Sequence, residues 1–267
     1  GEGRHYLNGH QDDRHNGVPV RRLLVNWQKA PRPFDWLYDS PILGEQTEAY
    51  LREFKPDVVH LASTYTLSVR PAFVAKEMGL PLVMHLQDYW FICARGNLLD
   101  KDRRPCSGPD NAWKCQQCLL AGTKMWWLTS RTVPKQFRER FYSRIAKSSW
   151  VTRQPSVKGM LGDLEARRQI TMAALAKADA LVTPTAYARR ILEGGGAPPG
   201  RISVMPYGGT WGWVTGLRRS ESSHLRVGFL GNVQSIKGVL VLIEAYGLLR
   251  QADLPVELQI WGGDPCK

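Results

Sequence analysis

The sequence predicts an α/β protein with a parallel sheet. Short apolar runs of strand length alternate along the chain with longer segments in which apolar residues recur at helical spacing, and this alternation is typical of repeated strand–helix units. A composition of 43% hydrophobic and 22% charged residues over 267 positions is that of a globular protein with a sizeable core. No apolar run approaches the ~20 residues of a membrane span, and no signal peptide is visible. We therefore expect a cytoplasmic protein with reduced cysteines.

The first 86 residues contain alternating strand and helix patterns. Pro56 and Gly79 end the two helix patterns. The predicted elements are a strand within 18–27, a helix over 45–54, a strand over 57–61, a helix over 67–78 and a strand over 80–86. Residues 86–123 then break the rhythm, since they are rich in Gly, Pro, Asp and Cys and have no sustained period. We expect a long loop there that is functional or held by a metal or a disulfide.

Strand and helix patterns resume after this loop. Phe137, Phe141 and Ile145 recur every four residues with basic residues between them, which predicts a basic amphipathic helix over 134–147. Thr185 is expected to cap a helix that reaches Leu192 and ends at the following glycines. The other predicted elements are a helix over 164–177, strands over 180–183, 202–205 and 225–230, a helix over 237–250 and a strand over 256–261.

A polar segment with scattered glycine and tryptophan residues separates two groups of elements, as a linker between domains does. We predict an N-terminal domain over 1–206, a linker over 207–224 and the start of a C-terminal domain over 225–267. The chain begins without methionine and stops just after a strand pattern. Both ends of the sequence therefore look cut.

The turn between the strand over 225–230 and the next helix carries residues suited to phosphate. Gly231 and Asn232 follow the strand, and Lys237 stands just before the helix. A glycine lets backbone amides approach a phosphate, the helix N-terminus is positive, and lysine adds a point charge. The turn predicts diphosphate binding, with a purely structural tight turn as the alternative.

Three segments of the sequence resemble family 4 glycosyltransferases. Residues 225–249 read LRVGFLGNVQSIKGVLVLIEAYGLL and are similar to the strand, Gly-Arg turn, Lys-Gly pair and helix that open the family's donor domain. Lys237 and Gly238 match that pattern, whereas Asn232 occupies the place of the arginine. Residues 175–209 resemble the bridge between the two domains, and residues 81–118 the acceptor-side loop.

The resemblance implies two Rossmann-like domains facing a cleft, the GT-B arrangement, with the second domain incomplete here. It further implies that a first strand and its glycine-rich loop precede residue 1, so these 267 residues alone are expected to be inactive. It also implies transfer of a sugar from a nucleotide-sugar donor to an acceptor hydroxyl, of a glycan or a lipid-linked glycan, with retention of configuration. No metal cofactor is required in such chemistry. Gly231, Asn232 and Lys237 would bind the donor diphosphate.

On the acceptor side, the family usually has His-Asp-Tyr-Trp where this chain reads Gln87-Asp88-Tyr89-Trp90. By resemblance, Asp88 and Gln87 are the catalytic candidates, which position the reacting hydroxyl and the sugar. Glutamine can donate a hydrogen bond but cannot titrate. His60 and Tyr89 are candidates for acceptor contact. The alternatives are that Asp88 only orders its loop and that His60 is a hydrogen-bonded strand residue.

Cys93, Cys106, Cys115 and Cys118 form the pattern C-x12-C-x8-C-x2-C. The last pair has the spacing of half a zinc site, which predicts a structural zinc ion held by the four thiolates. The spacing of the first two is irregular for a zinc ribbon, so free thiols that simply pack are the alternative.

The formal net charge of +12 favours an anionic partner. Residues 124–150 combine tryptophans with lysines and arginines, which suits the anionic inner face of a membrane and a lipid-linked acceptor. The alternative is a helix that packs its aromatic side on the core.

Two other functions compete with an enzyme. A non-catalytic glycosyltransferase-like binding protein is favoured by Gln87 and Asn232. A nucleic-acid-binding module would concentrate its basic residues with the cysteines in a compact finger, and this chain instead spreads them over several helices.

Overall fold

The computed structural model of the chain describes residues 6–154, 157–209, 212, 214–218 and 220–263. The chain divides into two compact units, Gly1–Tyr207 and Gly208–Lys267, here called the N-terminal and C-terminal units.

The N-terminal unit contains, in chain order, β1 (Leu7–His15), β2 (Val18–Val25), α1 (Pro33–Trp36), α2 (Pro41–Phe54), β3 (Val59–Leu61), α3 (Arg70–Glu77), β4 (Leu82–His85), α4 (Ala112–Leu120), α5 (Lys124–Thr132), α6 (Lys135–Ile145), α7 (Ser149–Thr152), α8 (Leu164–Lys177), β5 (Ala180–Thr183), α9 (Ala186–Gly194) and β6 (Ile202–Val204). The C-terminal unit contains β7 (Leu225–Leu230), α10 (Val239–Gln251) and β8 (Val256–Trp261). Short 3-10 turns lie at Trp27–Lys29 and Ser235–Lys237.

A four-stranded parallel sheet forms the centre of the N-terminal unit, which confirms the predicted fold class. Its strands lie side by side in the order β3-β4-β5-β6. The alternating residues Leu61, Leu82, Met84 and Leu181 are buried, and they share one hydrophobic cluster with residues of α3 and α8. The strands are apolar because helices cover them.

The helix ends follow from local chemistry. Pro41 opens α2, and Lys55 ends it in the left-handed conformation at φ 52°, directly before Pro56. Thr185 caps α9 as predicted, since its hydroxyl accepts from the Ala188 N–H at 3.1 Å. The bounds predicted for α8, β5, β7 and β8 coincide with the observed ones.

The strand predicted within 18–27 exists, but it lies outside the parallel sheet. β2 pairs antiparallel with β1 in a separate two-stranded hairpin. Asn16 and Gly17 form its turn with φ of 49° and 83°, a conformation that the Asn-Gly pair favours. β1 has the polar sequence LNGHQDDRH, which gives no apolar alternation, so the sequence analysis did not identify it.

The segment predicted to be irregular over 86–123 contains a helix, α4, and three further helices follow it. Leu120, Tyr142, Val157 and Leu161 form their buried cluster. The basic helix predicted over 134–147 is observed as α6. It buries Tyr142 and leaves Phe137 and Phe141 exposed, so of the three spaced residues Ile145 is the one that packs against the buried cluster.

The C-terminal unit consists of two parallel strands joined by one helix. β7 pairs with β8 from Leu225↔Val256 to Leu230↔Trp261, and α10 connects them. The predicted linker over 207–224 lies partly outside the described residues, at positions 210, 211, 213 and 219.

Candidate functional site

Gln87 and Asp88 leave the parallel sheet at the carboxyl end of β4. Two hydrogen bonds to β5 fix this exit: the Leu86 N–H donates to the Val182 carbonyl at 2.7 Å, and the Thr183 hydroxyl donates to the Leu86 carbonyl at 2.9 Å. Open α/β sheets bind their ligands at the carboxyl ends of the strands. The two predicted catalytic residues thus stand where the fold places ligands.

The Asp88 carboxylate accepts a hydrogen bond from the protein through one of its two oxygens. Its Oδ1 accepts from the Trp90 N–H at 2.8 Å, which orders the turn after the strand. Within the described residues its Oδ2 has no protein partner, and both Asp88 and Gln87 are exposed. Asp88 therefore orders the loop and also presents a carboxylate oxygen to solvent, so the two predicted roles are compatible.

Helix α8 holds the loop after Asp88 from below. The Arg167 guanidinium donates to the Trp90 carbonyl and lies over the Trp90 ring at 4.7 Å from its centroid. One turn later, the Thr171 hydroxyl donates to the Phe91 carbonyl at 3.0 Å. Sequence analysis did not identify Arg167, because nothing in a helical pattern shows that a basic residue points inward.

His60 and Tyr89, the predicted acceptor contacts, lie on different parts of this edge. His60 is exposed on β3, and its ring stacks on that of His85 at 5.9 Å, which in turn stacks on Tyr207 at 5.8 Å. Burial, and then the nearby His60, lower the pKa of His85. Tyr89 is half-buried, and burial raises the pKa of its hydroxyl.

The four cysteines line one cavity of about 180 Å³ in the N-terminal unit. All four are free thiols of intermediate burial, and burial together with the other three cysteines raises the pKa of Cys115 to about 11. Among the described residues, no three His, Cys, Asp or Glu side chains converge closely enough to hold a metal ion. The thiols as placed do not form a zinc site, and structural zinc stays a prediction from the spacing.

The predicted donor residues form the turn between β7 and α10. The Gly231 N–H donates to the Trp261 carbonyl at 2.9 Å and holds the turn against β8, while Asn232 and Lys237 are exposed. Gly238 precedes α10 with φ 75°. Gly238 has no side chain to cap the first N–H groups of α10, and no described side chain caps them in its place.

The helices α5, α6 and α7, here called the basic aromatic helices, expose Trp127, Phe137, Phe141 and Trp150, the last at 72%. Residues 124–153 include one acid, Glu139, and the cations Lys124, Arg131, Lys135, Arg138, Arg140, Arg144, Lys147 and Arg153. None of these cations forms an ion pair with a described residue. In the described part of the chain, no helix is both long and apolar enough to cross a bilayer.

Comparison with known proteins identifies the family. A crystal structure from Listeria monocytogenes, assigned as a UDP-N-acetylglucosamine 2-epimerase, is 13% identical at a TM-score of 0.34, too low a similarity to support an argument. That comparison covers 84% of this chain and 44% of the other. No curated protein matches the sequence. The family described as "Glycosyl transferase 4-like domain" matches residues 3–208, most of the chain and nearly all of the N-terminal unit. The chain therefore belongs to the glycosyl transferase 4-like family.

Proposed function

We propose that the protein is a retaining glycosyltransferase that moves a sugar from a nucleotide-sugar donor to an acceptor hydroxyl. The observation that carries the proposal is the free Asp88 oxygen at the carboxyl end of β4, within the part of the chain that the family matches. A carboxylate there accepts a hydrogen bond from a hydroxyl and fixes its direction. Gln87 beside it donates to a second oxygen of the acceptor or of the sugar.

The donor diphosphate binds, in this proposal, at the start of α10. Departure of the diphosphate requires positive charge near its oxygens. Lys237 provides an exposed ammonium group, and the uncapped N-terminus of α10 provides N–H groups and the positive end of the helix dipole. Asn232 adds an amide that donates hydrogen bonds but, unlike the arginine of the family pattern, no charge.

A transfer assay on the full-length protein tests the proposal. It uses sugars linked to uridine, guanosine and adenosine diphosphate and compares wild type with Lys237→Ala. We expect the substitution to lower kcat/KM at least about tenfold, since a hydrogen bond to a charged group contributes ~1.5–3 kcal/mol. Lys237→Arg should recover most of the loss.

The matched control is Arg250→Ala, which removes an exposed cation from the other end of α10. It should leave turnover unchanged. If no donor supports turnover while nucleotide-sugars still bind, the result favours a non-catalytic binding protein and overturns the proposal that the protein is an enzyme.

The acceptor is, in this proposal, lipid-linked and reached at the anionic cytoplasmic face of a membrane. The basic aromatic helices expose tryptophan and phenylalanine rings among cations that pair with no described acid. Aromatic rings enter the headgroup region, and each nearby lysine or arginine adds about 1 kcal/mol of attraction to anionic lipid. This surface would keep the N-terminal unit at the membrane where such an acceptor lies.

A further inference from the structure

A second cavity, of about 300 Å³, opens in the N-terminal unit beside the loop that follows Asp88. Five of its eleven lining residues are aromatic, and Arg167 also lines it. The aromatic lining residues are Trp27, Phe34, Tyr38, Tyr65 and Trp90. Ligand pockets are typically apolar with a few polar groups, and this volume is at the lower end of their range.

Arg167 is a buried cation without a carboxylate partner. The residue is 5% exposed, and within the described residues no acid lies within ion-pair distance of it. Its guanidinium makes one hydrogen bond to a described residue, to the Trp90 carbonyl, which leaves the other N–H groups without a protein acceptor there. Burial lowers the pKa of Arg167 to about 10, so the group is still charged at neutral pH.

An unpaired buried charge is costly, and proteins normally pair or hydrogen-bond such groups. The Trp90 ring under the guanidinium provides a cation–π contact, but it does not neutralise the charge. The planar fork of a guanidinium matches the two oxygens of a phosphate or a carboxylate. An anion in this cavity would meet that fork.

We propose that this cavity binds an oxyanion of the acceptor together with the apolar portion next to it. Arg167 holds the oxyanion, and the aromatic walls hold the apolar portion. The acceptor assignment rests on the proposed function and on position, because Trp90 joins the cavity to the turn that Asp88 orders. The oxyanion is either a lipid phosphate or the carboxylate of an acidic sugar.

Calorimetric titration of the full chain with small probes tests the cavity without any donor. Geranyl phosphate should bind at least about tenfold more tightly than the neutral geraniol, because the charged hydrogen bonds contribute ~1.5–3 kcal/mol. Glucuronic acid is the carboxylate probe, and inorganic phosphate shows what the oxyanion alone contributes. Binding of glucuronic acid in place of geranyl phosphate supports the cavity and assigns the acidic-sugar source. If neither probe binds, the proposal is overturned.

Variants locate the binding. Thr66 is exposed and lines the cavity, so Thr66→Glu brings a competing carboxylate with little risk to folding. It should weaken binding of geranyl phosphate at least about tenfold, as should Arg167→Met, which keeps the apolar stem. The matched control is Thr215→Glu, at another exposed threonine, in the C-terminal unit. Wild-type affinity in a folded Thr66→Glu variant contradicts the proposal.

The outcome separates this inference from the proposed enzyme. If the protein binds geranyl phosphate through Arg167 but transfers no sugar, the anion-binding cavity is supported and the transferase proposal is contradicted. If the Thr66→Glu and Arg167→Met variants transfer sugar with the kcat/KM of wild type, the transferase is supported and the proposed role of the cavity is contradicted.

Discussion

Asp88 orders a turn in the structure and positions a hydroxyl in the proposed function, and two substitutions separate these tasks. Asp88→Asn keeps an oxygen that accepts from the Trp90 N–H, so the turn should persist and the melting temperature should not change. The charge is lost, and we expect kcat/KM for transfer to fall at least about tenfold.

Asp88→Ala also removes the turn hydrogen bond, so it should additionally cost about 1 kcal/mol of folding free energy in urea denaturation. Full activity of Asp88→Asn would show that Asp88 has the structural task alone.

Cys115 should be the least reactive of the four clustered thiols. Alkylation requires the thiolate, and a pKa of about 11 leaves Cys115 almost entirely protonated at pH 8. Iodoacetamide labelling followed by peptide mass spectrometry should show Cys115 modified more slowly than Cys93, Cys106 and Cys118.

The same experiment tests the predicted zinc. A bound zinc ion would protect all four cysteines alike, and a chelator would lift that protection. Equal and chelator-sensitive protection would therefore contradict the thiol arrangement described here and support the zinc prediction.

Among the elements, α4 is fixed by a glutamine. Gln116 is buried, its amide nitrogen donates to the Met160 carbonyl at 2.8 Å, and its amide oxygen accepts from the Gly162 N–H at 3.5 Å. Gln116→Leu leaves both backbone groups without this partner, so we expect a loss of about 1–3 kcal/mol in urea denaturation. Gln117→Leu, on the same helix and less buried, is the control and should change stability by under about 0.5 kcal/mol.

Sequence patterns identified the elements whose burial is regular. β5 is a short apolar run and β8 alternates apolar with polar residues, so both their type and their bounds were predictable. β1 was not, because its ladder is stabilised by the Asn16-Gly17 turn and by cross-strand pairs such as Arg21 with Asp12 rather than by an apolar face. For α6, the spacing was correct, but it could not show that Tyr142 is the buried residue.

The candidate site was only partly predictable. Asp88 and Lys237 stand next to recognisable turns, so local sequence was enough to find them. Arg167 became visible only when the fold brought α8 under Trp90, because a contact across 77 positions leaves no local pattern. The order of the cysteines in the sequence likewise does not specify how closely their sulfur atoms approach.

For the whole molecule, the charge distribution predicts selective binding to anionic membranes. In co-sedimentation, vesicles with anionic lipid should bind the protein and neutral vesicles should bind it much less, because the basic aromatic helices carry exposed cations. High salt should weaken the binding, because it screens the attraction between these cations and the anionic lipid.

The aromatic residues of these helices provide the variant. Trp150→Ser should reduce binding to anionic vesicles several-fold, because Trp150 is 72% exposed and available to the headgroup region. Phe54→Ser, at an aromatic residue that is 51% exposed on α2, is the control. Equal binding to neutral and anionic vesicles would contradict the proposed electrostatic attraction between this surface and anionic lipid.

Helix α8 anchors more than the loop that follows Asp88. Besides the bonds of Arg167 and Thr171 to that loop, Arg168 donates to the Pro109 carbonyl at 3.2 Å and to the Gly195 carbonyl at 3.4 Å. Chain segments far apart in sequence are thus anchored to one helix, and opening any of them costs the hydrogen bonds that it makes there. We therefore expect the loop that follows Asp88 to be held in place before any ligand binds. An acceptor would meet a surface already set in its binding geometry, and little of its binding energy would be spent on ordering the protein.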